Sequence, residues 1–383
     1  MYVEQELSSI GGRDRMLYPQ NEKLTAEEFR YPSKEYAGAP FWAWNCRMDQ
    51  EKIDFLIQVL KEMGMGGAFL HSRMGMEHSF MGKEFLELIQ YAHEKLKENK
   101  MLTWLYDEDR WPSGFGGGLV TKDHSCRLQF LLFTPESQDK KKIDYQEKNM
   151  GGSVIRSEQR ILLGKFQIFL EQGYLKDYSL LKEGEIVREG YRQWYAYLET
   201  SGEDPGFNNQ SYVNTLDKKA VKKFIEIVYE QYYQVLGGEF GSWIPGIFTD
   251  EPQFAGKHYL DYAEQEKDLA MPYTEDLEET FASVYGHSLL EHLPELFWEL
   301  DSGEVSVVRY EYHNHITERF TEAYTDQIGR WCSAHGIRWT GHLMEEPRLQ
   351  SQTHAVGEAM RSYRSFHIPG IDILYDNREW NTA

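Results

Sequence analysis

Two spacings of apolar residues alternate along this chain. Short runs dense in apolar, β-branched and aromatic residues are followed by stretches where apolar positions return every three or four residues, the marks of a strand and of a one-faced helix. Phe41 to Asn45 predicts a strand. The helix after it has Ile53, Leu56, Ile57, Leu60 and Met63 on one face, Asp49 placed as its N-cap and Gly64 placed as its C′ residue. Gly67 to Leu70 predicts a second strand ending in His71, Ser72 and Arg73, followed by a helix with Phe85, Leu88, Ile89, Ala92 and Leu96 in register. Met101 to Tyr106 predicts a third strand that runs straight into the polar segment Asp107 to Gly114. The order βαβαβ implies a parallel sheet covered by helices.

The rhythm breaks between residues 121 and 210, where only short strand patterns occur: Leu128–Thr134, Leu162–Leu170, Tyr174–Leu181 and Arg192–Glu199. A β-rich inserted subdomain is the expectation there. The alternation resumes with a strand at Tyr212 to Leu216 and a helix capped by Asp217 that carries Val221, Phe224, Ile225, Val228 and Tyr232. Strands at Ile244–Phe248, Ile337–Thr340 and Ile371–Leu374 follow, with a long helix around Arg309–His335 before the second of these. The expected organisation is a first barrel part over 1–120, the insertion over 121–210 and a second barrel part over 211–383. That makes an α/β fold of the TIM type, a (β/α)8 barrel with about seven of its strands present. A doubly wound sheet is the rival, but it carries a glycine-rich turn after its first strand, and none occurs here. Gly114 and Gly116 to Gly118 follow the third strand and lack GxGxxG spacing.

Composition narrows the partners. The 383 residues carry 62 acidic and 41 basic side chains, a formal charge of -21. Nucleic acids and anionic membranes are bound through clustered Lys and Arg, so neither is expected. The one short basic run, Lys140 to Lys142, reads as a solvated loop. No apolar window reaches the ~18–20 residues of a membrane span. Met1 to Lys34 is polar without an apolar signal core, and Cys46, Cys126 and Cys332 lie far apart, so a cytoplasmic protein is expected. Aromatic residues make up 14% of the chain, 10 of them Trp and 25 Tyr, and ask for a use.

Polar groups gather just past the strand ends: Asn45; His71 and Arg73; Asp107 to Arg110; Asn214; Asp250 and Glu251; His342, Glu345 and Glu346; Asp376. Strand ends of a barrel converge on one face, where its active site is expected. A single acidic residue there is equally well explained by the first turn of the next helix. Repetition at six or seven ends is not. Trp42, Trp44, Trp104, Trp111 and Trp339 lie beside the same ends, with Trp104 and Trp339 expected in the core and Trp44 and Trp111 expected to face a ligand. Flat aromatics beside carboxylates and amides suit a sugar, whose C–H faces stack and whose hydroxyls need paired hydrogen bonds. Glycoside hydrolysis needs two carboxylates, and Glu251 and Glu345, each in a loop near a proline, are the leading pair. Glu108 and Glu346 are further candidates. Asp107, Glu108, Asp109, Asp250 and Asn45 offer oxygen ligands of the kind calcium takes. A zinc hydrolase built on His71 and His342 is a weaker reading, since neither HExxH nor Cys-x-x-Cys occurs. No GxSxG marks a serine nucleophile.

The runs Pro40–Asn45 (PFWAWN), Gly67–Arg73 (GAFLHSR), Trp104–Gly114 (WLYDEDRWPSG), Phe248–Pro252 (FTDEP) and Thr340–Glu345 (TGHLME) resemble glycoside hydrolase family 106, the α-L-rhamnosidase type. The resemblance covers roughly residues 32–383. It implies a (β/α)8 catalytic domain, hydrolysis of terminal α-linked L-rhamnose or a related sugar with inversion, and a calcium ion near the sugar. Glu251 and Glu345 would be acid and base. Trp44, Asn45, His71, Arg73, Glu108, Arg110, Trp111, Asp250, His342 and Glu346 would hold substrate, and Asp107 and Asp109 the ion. It also implies that the chain stops short of the family's remaining barrel strand and β-sandwich domains. A non-catalytic sugar-binding barrel is the alternative.

Overall fold

The computed structural model describes residues 25–373 apart from 33, 138–147, 150–151, 154–155 and 347. Leu374, where the last strand is expected to end, the strand-end residue Asp376 and the basic run at 140–142 lie outside the described residues. The first helix, α1, spans Ala26–Arg30.

Strands β1 (Phe41–Trp44), β2 (Gly67–Ser72) and β3 (Leu102–Tyr106) alternate with α2 (Gln50–Glu62) and α3 (Lys83–Glu98). The local signals act as the sequence predicts. Asp49 accepts the Lys52 N–H at 2.8 Å and starts α2, and Gly64 takes φ 78°, the left-handed conformation that ends it. Ile53 and Ile57 on α2, with Phe85, Ile89, Ala92 and Leu96 on α3, are buried against the sheet. Each of these side chains larger than Ala92 contributes roughly 1.5–3 kcal/mol by leaving water.

The parallel sheet runs β1-β2-β3-β10-β12-β13, with β10 at Gly246–Asp250, β12 at Arg338–His342 and β13 at Ile368–Pro369. Two expected strands differ. Tyr212 to Leu216 is not in the sheet; only Val213 forms a single antiparallel bridge, to Arg127. Thr215 Oγ1 donates to the Gln253 carbonyl at 2.7 Å and Tyr212 Oη to the Ser113 carbonyl at 2.7 Å, which pins this segment to loops above the sheet. β10 takes the place beside β3, pairing Gly246 with Trp104 and Phe248 with Tyr106. The last strand falls three residues earlier than expected, at Ile368–Pro369, and is short because proline has no N–H for the ladder. Six parallel strands are therefore described, with β1 and β13 at the two edges; closure into a barrel is not among the described features.

A second, antiparallel sheet runs β11-β4-β9-β7-β8. Its strands β4 (Gln129–Thr134), β7 (Arg156–Glu171), β8 (Tyr174–Leu180) and β9 (Arg192–Ser201) match the expected ones closely, and a small ribbon, β5 (Lys148–Asn149) with β6 (Gly152–Ser153), precedes them. Its last member, β11 (Leu269–Pro272), comes from beyond β10 and pairs with β4.

The remaining helices are α4 (Lys218–Phe224), α5 (Glu230–Leu236), α6 (Leu277–Tyr285), α7 (Val307–Phe320), α8 (Asp326–His335), α9 (Leu349–Ala355) and α10 (Ala359–Tyr363). A π turn, Ile225–Tyr229, joins α4 to α5, and another, Thr321–Thr325, joins α7 to α8, so each pair is one long helix with a widened turn. Among the described residues no helix is long and apolar enough to cross a membrane.

Candidate active site

Parallel pairing in register brings the strand ends to one level: Trp44 beside Ser72, Tyr106 beside Phe248, Asp250 beside His342. Because side chains alternate along a strand, His71, Tyr106, Asp250 and His342 share one face of the sheet. Trp42 and Trp44 point to the other, buried against each other and Phe85. Trp44 is fully buried, which corrects its expected role: it is core, and no sugar reaches it. Trp339 is core as expected, and Trp111, 42% exposed, is the aromatic of the set that stands open to solvent.

Most of the carboxylates at these ends are already engaged. Asp107 is buried and accepts from Ser113 Oγ at 2.5 Å and from Tyr229 Oη, on the first π turn, at 2.7 Å. Burial pushes its carboxyl up to about 7 against those donors. Glu108 is buried and accepts four backbone N–H groups, those of Asp109, Gly114, Gly116 and Gly117, at 2.5–3.0 Å. Its expected contact with substrate is therefore corrected to a structural one: it holds the Gly114–Gly117 loop. Asp109 accepts from Ser72 Oγ at 3.0 Å, from Arg110 at 2.8 and 3.0 Å, and from Asn208 Nδ2 at 3.1 Å. With their oxygens spent on protein donors, Asp107 and Asp109 do not fit a calcium ion as they stand.

Asp250 is held on both oxygens, by Tyr106 Oη at 2.5 Å and by His342 Nε2 at 2.9 Å. The other ring nitrogen of His342, Nδ1, meets Glu346 Oε1 at 3.2 Å, and that same oxygen accepts the Asp372 N–H at 2.9 Å. Burial opposes a charge on His342, but the two carboxylates outweigh it and lift the imidazole to about 10, so it is an imidazolium at neutral pH. Burial likewise works against a charged Asp250, yet the His342 and Tyr106 bonds hold its carboxyl below the usual range.

Glu251 and Glu345 stand apart. Neither carboxylate takes a hydrogen bond from the described residues. Both have left-handed backbones, with φ 48° and 60°, a conformation that costs a non-glycine residue of order 1–3 kcal/mol and gathers at functional sites. Glu251 follows β10 directly, its N–H donating to the His342 carbonyl at 3.2 Å; Glu345 lies in the turn after β12. Burial and then the Asp250 charge raise Glu251 to about 7.

His71 stacks on Tyr106 with centroids 3.7 Å apart, and burial, then Arg73, lowers it to about 4, so it is neutral. Both its ring nitrogens are buried without a hydrogen-bond partner among the described residues. Asn45 is exposed and Arg73 and Arg110 half-buried at the rim, Arg110 already tied to Asp109. Glu251, His342 and Asp372 each bring one ligand atom within 4.8 Å of the others. An imidazolium with both nitrogens occupied has no lone pair for an ion, however, so neither this group nor a zinc site on His71 and His342 is ready for a metal. Ser113, Tyr229 and Asp372 are site residues that strand-end spacing alone did not single out.

No protein-family model matches the chain, and no curated protein matches it. Among solved structures, the fold is similar to that of the rhamnosidase from Novosphingobium sp. PP1Y, with a TM-score of 0.55 and 11% sequence identity. The match covers 89% of this chain and 48% of that one, so the chain spans about half the length of that structure. At this identity the likeness is one of fold.

Proposed function

We propose that this chain is the catalytic portion of a glycoside hydrolase of the family 106 type. It would act on terminal α-L-rhamnosyl or related glycosides by inversion on a barrel-like scaffold, with Glu251 as general acid and Glu345 as general base. One observation carries the reading: in a cluster where the other carboxylates are hydrogen-bonded, these two take no hydrogen bond from the described residues and lie on strained backbones at adjacent strand ends. Fold likeness to a solved rhamnosidase supports it.

The chemistry follows from the two environments. Glu251, raised to about 7, still carries a proton near neutrality and gives it to the leaving glycosidic oxygen. Glu345 takes a proton from water as that water's oxygen bonds to the anomeric carbon from the opposite face and the old C–O bond breaks. Trp111 and Asn45, exposed, and Arg73, half-buried, would bind the sugar. Calcium, expected from the resemblance, has no free oxygen cage at Asp107 and Asp109, and no step is assigned to it.

Aryl α-L-rhamnosides with poor and good leaving groups test the assignment. Glu345→Gln should lower kcat by about 10²–10⁴ for both. Glu251→Gln should do so for the poor leaving group and much less for the good one, which needs little acid help. Wild-type turnover in either variant would overturn its role. Binding of rhamnose by the parent without turnover would favour the non-catalytic sugar-binding reading.

A further inference from the structure

His342 touches the residue next to each proposed catalytic glutamate. Nε2 meets Asp250, which precedes Glu251, and Nδ1 meets Glu346, which follows Glu345. The bridge is anchored at both ends, since Tyr106 holds the second oxygen of Asp250 and the Asp372 N–H holds Glu346. The backbone adds a third tie, from the Glu251 N–H to the His342 carbonyl. Gly341 permits the approach: at φ 137° it brings β12 so near β10 that a Cβ would fall 2.0 Å from the Thr249 carbonyl oxygen.

Resting on the assignment of Glu251 and Glu345, we propose that His342 is the positioning residue that sets their separation, as a cationic clamp between the loops after β10 and β12. Both glutamates sit on backbones with φ above zero, and such conformations persist only where the surroundings over-determine them. Neither carboxylate is tethered by its own hydrogen bonds among the described residues. Their spacing must come from the backbone, and His342 is the side chain whose ties reach the neighbours of both glutamates, while Lys257 links the two segments farther along, to the Thr353 carbonyl. The charged groups around the ring are Asp250, Glu346, Glu251 and Asp372; carboxylates surround it and Phe248 packs at 5.8 Å. A neutral side chain would leave that cluster mutually repelling, and the loops would part.

The variants are His342→Gln, which keeps one donor, and His342→Ala. A displacement near 1 Å at the reacting atoms costs about 10² in rate. Each variant should therefore lose roughly 10²-fold in kcat with KM changed less than about threefold, and added imidazole should restore part of the loss in His342→Ala. A residue needed only for stability would lower Tm without that kcat–KM split and without rescue. Folded variants with kcat within about threefold of the parent would overturn the proposal. If the parent hydrolyses no glycoside, the catalytic reading fails by itself. The clamp is then judged from crystal structures of parent and His342→Ala: a wider Glu251–Glu345 gap supports it, and an unchanged gap overturns it.

Discussion

Seven carboxylates crowd the ends of β3, β10 and β12, and Glu251 and Glu345 differ from the other five in what they lack. Asp107, Glu108, Asp109, Asp250 and Glu346 have hydrogen-bond donors from the protein. A carboxylate so held is a structural anion; one without donors is available for proton transfer. Burial of Glu251 beside Asp250 lifts it to about 7, well above an ordinary glutamate. The sign for activity follows directly. In the proposed role of general acid Glu251 works while protonated, so kcat/KM for a poor leaving group should fall roughly tenfold per unit above about pH 7, while the proposed base, which works deprotonated, sets the limb on the acid side. Glu251→Gln should abolish the alkaline limb, which a pH–rate profile checks. The same profile in Glu345→Gln should keep the alkaline limb at reduced rate, because the acid is untouched.

At the scale of elements, the loop after β3 shows how a buried charge organises backbone. Glu108 gathers four N–H groups from a segment whose glycines take φ values of 58° to 128°, where side chains are strained. Glu108→Ala would leave those donors buried and unpaired. A cost of at least about 3 kcal/mol is expected, read as a fall in denaturant midpoint and faster proteolysis near Gly114. Glu108→Gln should be nearly as harmful, since its amide nitrogen would face N–H donors instead of accepting from them. This role was hidden in the sequence, where Glu108 looks like any strand-end acid. Local signals such as the Asp49 cap, the Gly64 stop and the strands of the antiparallel sheet were legible because they depend on neighbours in the chain. The strand expected at Tyr212–Leu216 was not, because its apolar pattern is that of a strand while its hydrogen bonds go to Ser113 and Gln253, 99 and 38 positions away in fold-dependent contacts. Trp44 was misjudged for a related reason. Sitting next to Asn45 suggested a ligand contact, but alternation in β1 puts it on the face of Trp42, toward α3. The places of Glu251 and Glu345 just past the adjacent strands β10 and β12 were legible, and the lack of hydrogen bonds to their carboxylates among the described residues was not.

The antiparallel sheet is fastened to the segment between β10 and β12, and buried apolar residues of both sheets belong to one hydrophobic core. Phe133 on β4 stacks on Trp194 of β9 at 5.3 Å and on Phe297 at 5.1 Å. Phe297 belongs to the segment between α6 and α7, which follows the parallel strand β10. Tyr312 on α7 donates to the Pro272 carbonyl in β11 at 2.6 Å, and the Leu175 N–H of β8 donates to the Glu299 carbonyl at 2.9 Å. The aromatic content that stood out in the sequence is thus largely structural, with Trp44, Trp194 and Trp339 all buried. An antiparallel sheet fastened in this way has no independent core, so it should not melt separately. Phe133→Ala removes a ring packed on both sides and should cost about 3–5 kcal/mol. Because both sheets share one hydrophobic core, calorimetry should show one transition moved to lower temperature, with loss of near-ultraviolet signal and of the proposed glycoside turnover at the same point. Two resolved transitions, with turnover following the upper one, would mean instead that the parallel sheet and its carboxylates stand without the antiparallel one.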